Sequence, residues 1–162
     1  MSPTTLIVGG GAAGLMAAIA AADRGEHVTL LEKNDRLGRK ILISGNGRCN
    51  LLNSESDSSF FHGGDPEFAR TALETFPVED TLAFFRDLGI ETRVEKRGRV
   101  FPASNQATSV VRLLEDRAVR AGIKIVYSAD VSGLNKDESF GVWTTDGQKF
   151  SADRVIMTTG GT

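Results

Sequence analysis

The fold is decided by the stretch Thr4-Thr-Leu-Ile-Val-Gly-Gly-Gly-Ala-Ala-Gly-Leu15, near the start of the chain. A short apolar run that ends in glycine is typical of a strand buried on both faces of a parallel sheet. Residues 12–24 are mostly alanine, which predicts a helix, and Gly25 is a natural stop for it. His27-Val-Thr-Leu-Leu-Glu32 then predicts a second strand that ends in a carboxylate. This order has the sequence form of a dinucleotide-binding βαβ unit.

Three glycines in this stretch have the spacing G-x-G-x-x-G. Gly9 is expected to make the sharp turn, Gly11 to let the backbone approach a pyrophosphate, and Gly14 to let the helix pack on the sheet. The free N–H groups of Ala12 and Ala13 and the helix dipole would then face the anion. The pattern predicts a phosphate site that requires no lysine.

Glu32 stands about 20 residues beyond the glycines, where an acid accepts hydrogen bonds from a ribose diol and repels a 2′-phosphate. This context does not choose between FAD and NAD, because both present an ADP half to the same unit.

The rest of the chain predicts an α/β, Rossmann-like fold with a central parallel sheet, a small antiparallel meander and an α+β insertion. Asp65 and Pro66 are expected to open a helix, and Asp146-Gly147 is expected to form a two-residue hairpin turn. Helices are predicted over 65–76, 78–88 and 105–122, a hairpin over 91–101, meander strands over 131–134, 140–144 and 148–150, and further parallel strands over 123–127 and 153–161.

The domain organisation follows from these elements. Residues 1–162 are expected to form one FAD-binding domain, the N-terminal segment of a longer enzyme. Residues 51–103 are expected to form an insertion between the second strand and the long helix. Its polar run over 53–65 predicts a segment without a packed core of its own.

Composition narrows the class of protein. The 162 residues carry a formal net charge of -2 and are 40% hydrophobic, which is ordinary for a globular domain and gives no bulk field for nucleic acid or an anionic membrane. We therefore expect a small-molecule substrate, with no nucleic acid and no membrane as partners. The single cysteine, Cys49, excludes an internal disulfide and a zinc quartet, so a cytoplasmic setting and no metal are expected.

The basic, glycine-rich stretch Gly38-Arg-Lys-Ile-Leu-Ile-Ser-Gly-Asn-Gly-Arg-Cys-Asn50 has two interpretations. Asn46-Gly47 favours a hairpin turn between strands at 41–43 and 50–52. Alternatively, the stretch is a loop folded over a pyrophosphate, with Arg48 near an isoalloxazine ring. Arg36 and Lys40 are either solvated charges or phosphate contacts, and a solvated charge is favoured for Arg39.

No side chain in the sequence is a convincing catalytic acid, base or nucleophile. His27 opens a strand and His62 lies in a polar run, and neither has a carboxylate or serine pattern around it. Cys49 has no second cysteine with which to form a redox pair. For the cationic cluster over 93–99, a solvated hairpin is favoured over a nucleotide clamp, and contact with an anionic substrate stays open.

The chain resembles the N-terminal part of the YhiN/HI0933-like flavoproteins, also described as BaiN-like or aminoacetone-oxidase-like FAD enzymes. The similarity spans nearly the whole chain. It rests on the glycine turn, Leu31-Glu-Lys-Asn34, the stretch from Gly38 to Asn50, Arg97-Gly-Arg-Val-Phe-Pro102 and Ala152-Asp-Arg-Val-Ile-Met-Thr-Thr-Gly-Gly161.

The resemblance implies FAD bound in extended form and redox chemistry with NAD(P)H or oxygen as second electron partner. It places the pyrophosphate at Gly9, Gly11, Ala13 and Gly14, the adenosine at Glu32, Lys33 and Val131, the loop contacts at Lys40, Ser44 and Arg48, and a cofactor border at Thr159 and Gly160. The family continues beyond a chain of this length into a substrate domain and a later Gly-Asp segment, so the remainder of the same enzyme, C-terminal to Thr162, is an expected partner. An NAD-binding dehydrogenase domain and a noncatalytic nucleotide-binding sensor module remain alternatives.

Overall fold

The structure is a computed structural model that describes residues 2–55, 60–61 and 67–161. The chain divides into two compact units, one formed by residues 1–41 and 114–162 and the other by Leu42–Leu113. No helix within the described ranges is both long enough and apolar enough to cross a membrane.

The first unit is built on a four-stranded parallel sheet in the order β10-β1-β2-β6. The apolar run after Pro3 forms β1, which lies between β10 and β2 and so confirms the predicted strand within a parallel sheet. Leu6, Ile7 and Val8 are all buried, as the uninterrupted apolar pattern requires. The strands are β1 (Thr4–Val8), β2 (His27–Leu31), β6 (Lys124–Val126) and β10 (Arg154–Met157).

Helix α1 (Ala12–Asp23) connects β1 to β2 and packs against both. Leu15 and Ala18 are completely buried because the alanine-rich helix can approach the sheet closely. The helix ends at Asp23 with Arg24 as its C-cap, and Gly25 follows with a φ of 81°, so the predicted helix and its stop are confirmed.

An antiparallel meander packs on the parallel sheet. Its strands are β7 (Val131–Lys136), β8 (Phe140–Thr144) and β9 (Lys149–Ala152). Val142 and Ala152 from the meander share a buried cluster with Leu6 and Leu31. The meander is confirmed, but its tight turn has three residues, not two. The amide of Thr144 donates to the carbonyl of Gln148, and Gly147 takes the left-handed conformation of the bulge in such a loop.

The second unit contains α3 (Glu67–Thr75), α4 (Val78–Asp87) and a three-stranded antiparallel sheet. The sheet order is β3-β5-β4, with β3 at Leu52–Asn53, β4 at Thr92–Val94 and β5 at Arg99–Pro102. A 3-10 turn at Lys96–Gly98 joins β4 to β5, which confirms the predicted hairpin. The long helix predicted over 105–122 is α5 (Ala107–Arg120).

The basic stretch after Gly38 differs from the hairpin interpretation. Residues Arg39–Ile43 form a short helix, α2, and not a strand, and β3 pairs with β5. The hairpin about Asn46-Gly47 is therefore wrong. The predicted N-cap at Asp65-Pro66 lies outside the described residues, as do His62 and most of the polar run over 53–65.

Candidate functional site

The carboxyl ends of three parallel strands meet at one edge of the first unit. Val8, the last residue of β1, is in register with Leu31 of β2 and Met157 of β10. The amide of Gly9 donates to the carbonyl oxygen of Leu31 at 2.8 Å, and the amide of Thr158 donates to that of Val8 at 2.8 Å. This edge is where ligands bind in open parallel sheets.

The three spaced glycines meet different surroundings. Gly9 has a φ of 106°, and a Cβ atom built there would lie 2.5 Å from the carbonyl oxygen of Thr158. A Cβ atom at Gly14 would lie 1.8 Å from the carbonyl oxygen of Gly9. At Gly11, in contrast, a Cβ atom would meet nothing within 4 Å. Gly9 and Gly14 are therefore required by the protein's own backbone, whereas Gly11 borders open space.

Two neighbours of the glycine turn were missed in the sequence. Gly10 is confined by side chains, because its Cβ would lie 2.4 Å from a methyl carbon of Leu37 and 2.9 Å from Oε2 of Glu32. The hydroxyl of Thr158 is within 2.9 Å of the carbonyl oxygens of both Val8 and Gly9 and so ties β10 to the turn. The resemblance pointed to Thr159 and Gly160, and the structural role of Thr158 has no signal in the sequence.

The open space lies at the start of α1. Gly11 is the N-cap residue, with extended backbone angles of -79° and -170°, and no side chain caps the helix. Ala12 and Ala13 are exposed. The first N–H groups of a helix lack partners within the helix, and the dipole places about half a positive charge there. This arrangement suits an anion.

Glu32 lies beside the turn and is only 6% exposed. Its Oε2 accepts the amide of Gly10 at 2.7 Å, and its Oε1 accepts the amide of Asn34 at 2.8 Å. The Asn34 side chain also donates to Oε1. The buried carboxylate is thus fully oriented by the protein.

The other predicted residues of the first unit are more exposed. Lys33 and Thr159 are exposed, and Val131 is half-buried where the meander packs on the sheet. The Nζ of Lys40 donates to the carbonyl oxygen of Gly161 at 3.1 Å and lies 3.6 Å from the Cβ position of Gly160. The structure therefore brings Lys40 to the glycine pair that follows β10.

Tyr127 was not predicted as a site residue. It follows β6, and its hydroxyl donates to the carboxylate of Glu115. Burial raises the pKa of Tyr127, and the negative charges of Glu115 and Glu32 raise it further. Its phenol therefore stays protonated beside these two acids.

In the second unit, residues 44–49 form a turn built on left-handed backbone. Gly45, Asn46, Gly47 and Cys49 all have φ values between 57° and 80°. The carbonyl oxygen of Ser44 accepts the amides of Gly47 at 3.2 Å and Cys49 at 3.0 Å. Asparagine tolerates this conformation, but cysteine gives no sequence signal for it.

Arg48 projects from this turn into contacts within the second unit. Its guanidinium lies 4.0 Å from the ring centroid of Phe101 and donates to Glu95 at 2.9 Å. Arg93 donates to the same oxygen of Glu95 at 2.9 Å, and the hydrogen bonds from Arg48 and Arg93 lower the pKa of Glu95. Arg93 and Glu95 of the predicted solvated hairpin therefore form an ordered charged cluster with Arg48.

Cys49 follows Arg48 in the sequence, and its side chain is buried. Burial raises the pKa of its thiol, and a hydrogen bond with Ser44 opposes that shift. A protonated, buried thiol is a poor nucleophile, and the absence of a catalytic role for Cys49 stays a prediction.

Comparison with known proteins places this geometry in a family. Residues 3–162 match the model of the HI0933-like protein Rossmann domain. A 3-dehydro-bile acid delta(4,6)-reductase from Clostridium scindens is 47% identical over 157 residues, which are 96% of this chain and 38% of that protein. A ribosomal RNA dihydrouridine synthase from Escherichia coli is 28% identical over 156 residues, 96% of this chain and 39% of that protein.

A solved structure shares the fold. The 3-ketosteroid-delta4-(5alpha)-dehydrogenase from Rhodococcus jostii RHA1 matches with a TM-score of 0.72 and 16% identity over 98% of this chain and 46% of that chain. The chain spans about two fifths of the length of the curated relatives it matches.

Proposed function

The chain belongs to the HI0933-like family of Rossmann domains, and from that premise we propose that it is the FAD-binding portion of a flavin-dependent oxidoreductase. One observation carries the proposal. Gly11 is the only one of the three spaced glycines whose missing side chain leaves open space, and this space lies at the start of α1. A glycine that packing does not require is explained by a ligand that approaches the backbone there.

The residues of this edge fit the two parts of an ADP half. The start of α1, at Gly11, Ala12 and Ala13, would hold the pyrophosphate through backbone N–H groups. Glu32 would accept a hydrogen bond from the ribose, since its carboxylate already lies beside the glycine turn. The remaining predicted contacts are Gly9, Gly14, Lys33, Lys40, Val131, Thr159 and Gly160 in the first unit and Ser44 and Arg48 in the second.

FAD would supply a two-electron carrier that takes hydride from a nicotinamide and passes it to a substrate. The residues of this chain would bind and orient the cofactor and hold the Glu32 carboxylate beside it. Catalytic residues are not assigned, and a cytoplasmic location stays a prediction.

The substrate class is proposed from the names of the relatives. One is named for reduction of the delta(4,6) positions of a 3-dehydro-bile acid, and the other for the formation of dihydrouridine in ribosomal RNA. Both names describe the addition of hydrogen across a carbon–carbon double bond. We therefore propose that NAD(P)H reduces the flavin and that a hydride and a proton then add across such a bond in a small molecule.

The test is an anaerobic titration of the purified full-length protein. We expect bound flavin that is identified as FAD after release, bleaches with NADH or NADPH, and is reoxidised by a conjugated enone. A protein that purifies without flavin and takes up none would contradict the proposal and favour the NAD-binding alternative. A flavin that neither nicotinamide nor acceptor changes would favour the sensor module.

The same titration tests the predicted absence of nucleic acid. Ribosomal RNA and a 3-oxo steroid enone are offered separately to the reduced protein. Reoxidation by the enone alone is expected, and reoxidation by RNA alone would make that prediction wrong.

A further inference from the structure

Asn34 is placed to control the orientation of Glu32. It lies two residues beyond the acid and reaches Oε1 of Glu32 twice, through its backbone amide at 2.8 Å and through its side-chain Nδ2. Oε2 accepts the amide of Gly10 at 2.7 Å. Three N–H groups therefore donate hydrogen bonds to one buried carboxylate, and two of these groups belong to Asn34.

Asn34 is itself held from two sides. Its Oδ1 accepts a hydrogen bond from Nη1 of Arg39 at 3.0 Å, and its backbone carbonyl accepts the amide of Ser128 at 3.0 Å. With Oδ1 bound to a guanidinium, only the NH₂ group of the amide can face the carboxylate. The hydrogen-bond chemistry thus fixes the orientation of the asparagine side chain.

The carboxylate of Glu32 can accept few further hydrogen bonds. An ionised carboxylate offers about four lone-pair positions, and the protein's own N–H groups fill three of them. Two N–H groups occupy Oε1, so the open position is on Oε2, beside Gly10. This is the side of Glu32 that faces the glycine turn.

We propose that Asn34 is a positioning residue that determines how well Glu32 recognises a ribose hydroxyl of a bound nucleotide. The proposal rests on the proposed function. Asn34 occupies Oε1 and keeps the carboxylate from rotating, which leaves Oε2 as the acceptor for ribose. Arg39 supports the arrangement through Asn34, although a solvated charge was predicted for it.

The test compares two nucleotides on the full-length apoprotein. ADP carries both ribose hydroxyls and 2′,3′-dideoxy-ADP carries neither, so their difference isolates recognition of the ribose. We expect Asn34→Ala to weaken the binding of ADP about tenfold, which is the effect of losing one hydrogen bond to a charged group. Binding of the dideoxy nucleotide, measured by calorimetry, is expected to stay unchanged.

A double-mutant cycle with Glu32→Ala separates positioning from a general structural role. If Asn34 acts through Glu32, Asn34→Ala has no further effect in the Glu32→Ala background. Equal weakening of both nucleotides, or additive effects of the two substitutions, would overturn the proposal while leaving the proposed function intact. A wild-type protein that binds neither ADP nor FAD would overturn both.

Arg39→Ala provides a second variant should Asn34→Ala fail to fold. Its side chain is exposed, and its loss frees only Oδ1 of Asn34. We expect ADP to bind roughly two- to threefold more weakly, as for a single exposed hydrogen bond, with no change for the dideoxy nucleotide. Equal losses for both nucleotides would again count against the proposal.

Discussion

The two glycine-rich turns of the chain, at residues 9–14 and 44–49, are constrained by different kinds of atom. In the first turn, Gly9 and Gly14 are confined by backbone atoms of Thr158 and of Gly9 itself. In the second turn, a Cβ at Gly45 would lie 2.7 Å from a ring carbon of Phe101 and 2.8 Å from the amide nitrogen of Asn50. Gly9 and Gly14 of the first turn are thus confined mainly by backbone atoms, and Gly45 of the second is confined partly by a side chain.

The difference predicts how each turn responds to change. The backbone of Gly9 and Thr158 is held by hydrogen bonds to Leu31 and Val8 and cannot move without breaking them, whereas an aromatic ring can adjust by a small rotation. Of the three spaced glycines, only Gly11, which borders open space, should therefore tolerate a side chain. In the second turn, the loss of stability should depend on which glycine is substituted.

The largest effect is expected for Gly14→Ala. Alanine is favoured over glycine in a helix by about 1 kcal/mol. The contact of 1.8 Å with the carbonyl oxygen of Gly9 outweighs this gain. We predict a loss of at least about 3 kcal/mol in the free energy of unfolding, the upper end of the usual cost of overpacking. Urea unfolding followed by circular dichroism measures it.

Gly11→Ala is the matched control for Gly14→Ala. Its backbone is already extended and its Cβ would meet no atom, so its free energy of unfolding should lie within about 0.5 kcal/mol of the wild type in the absence of ligand. Similar losses in the two variants would contradict the distinction between confined and open glycines.

A smaller effect is expected in the second turn. Gly45→Ala and Gly47→Ala both place a side chain on left-handed backbone, which costs about 1 kcal/mol. Only Gly45 also meets Phe101, since the nearest atom to a Cβ at Gly47 is 3.9 Å away. We predict a total cost of about 2–3 kcal/mol for Gly45→Ala, measured by the same unfolding experiment. Equal costs would show that Phe101 does not constrain the turn.

The smallest effect concerns the ion pair of Arg48 and Glu95. The arginines lower the pKa of Glu95 in the folded state, so the ionised carboxylate stabilises the fold above its unfolded pKa of about 4.3. That contribution is lost as the pH falls through the lower, folded pKa. Glu95→Gln should therefore be less stable than wild type near neutral pH, and the difference should disappear in acid.

Arg48→Gln removes the other partner of this ion pair and is compared with Glu95→Gln in the same experiment. Both side chains are partly exposed, so solvent screens their interaction and the effect is modest. Combining the two substitutions should cost less than the sum of the single effects near neutral pH. Strict additivity at every pH would contradict a stabilising ion pair.

The first turn and the parallel sheet follow from the sequence because their causes are local and periodic. Leu6 to Val8, the alanine-rich helix and Gly25 each predict one conformation. The second turn does not follow, because Cys49 adopts left-handed backbone against its own preference and its neighbours come from β5. The hydrogen bonds from Asn34 to Glu32 could not be predicted either, since an asparagine in a polar stretch is equally typical of a solvated loop.

Glu32, Gly9, Gly11 and Gly14 could be placed at one edge from spacing alone. Gly10 and Thr158 could not, since their confinement depends on how closely β10 and Leu37 approach the turn. A motif identifies the residues that face a ligand more readily than the residues that hold the motif in shape.

The FAD content of the purified full-length protein, wild type against Gly11→Ala, is the most direct test of the central claim. We predict about one FAD per chain in the wild type. The Gly11→Ala protein should unfold like the wild-type apoprotein but retain little flavin, because the added methyl group occupies the approach of the pyrophosphate. Equal flavin content in the two proteins, or none in the wild type, would contradict it.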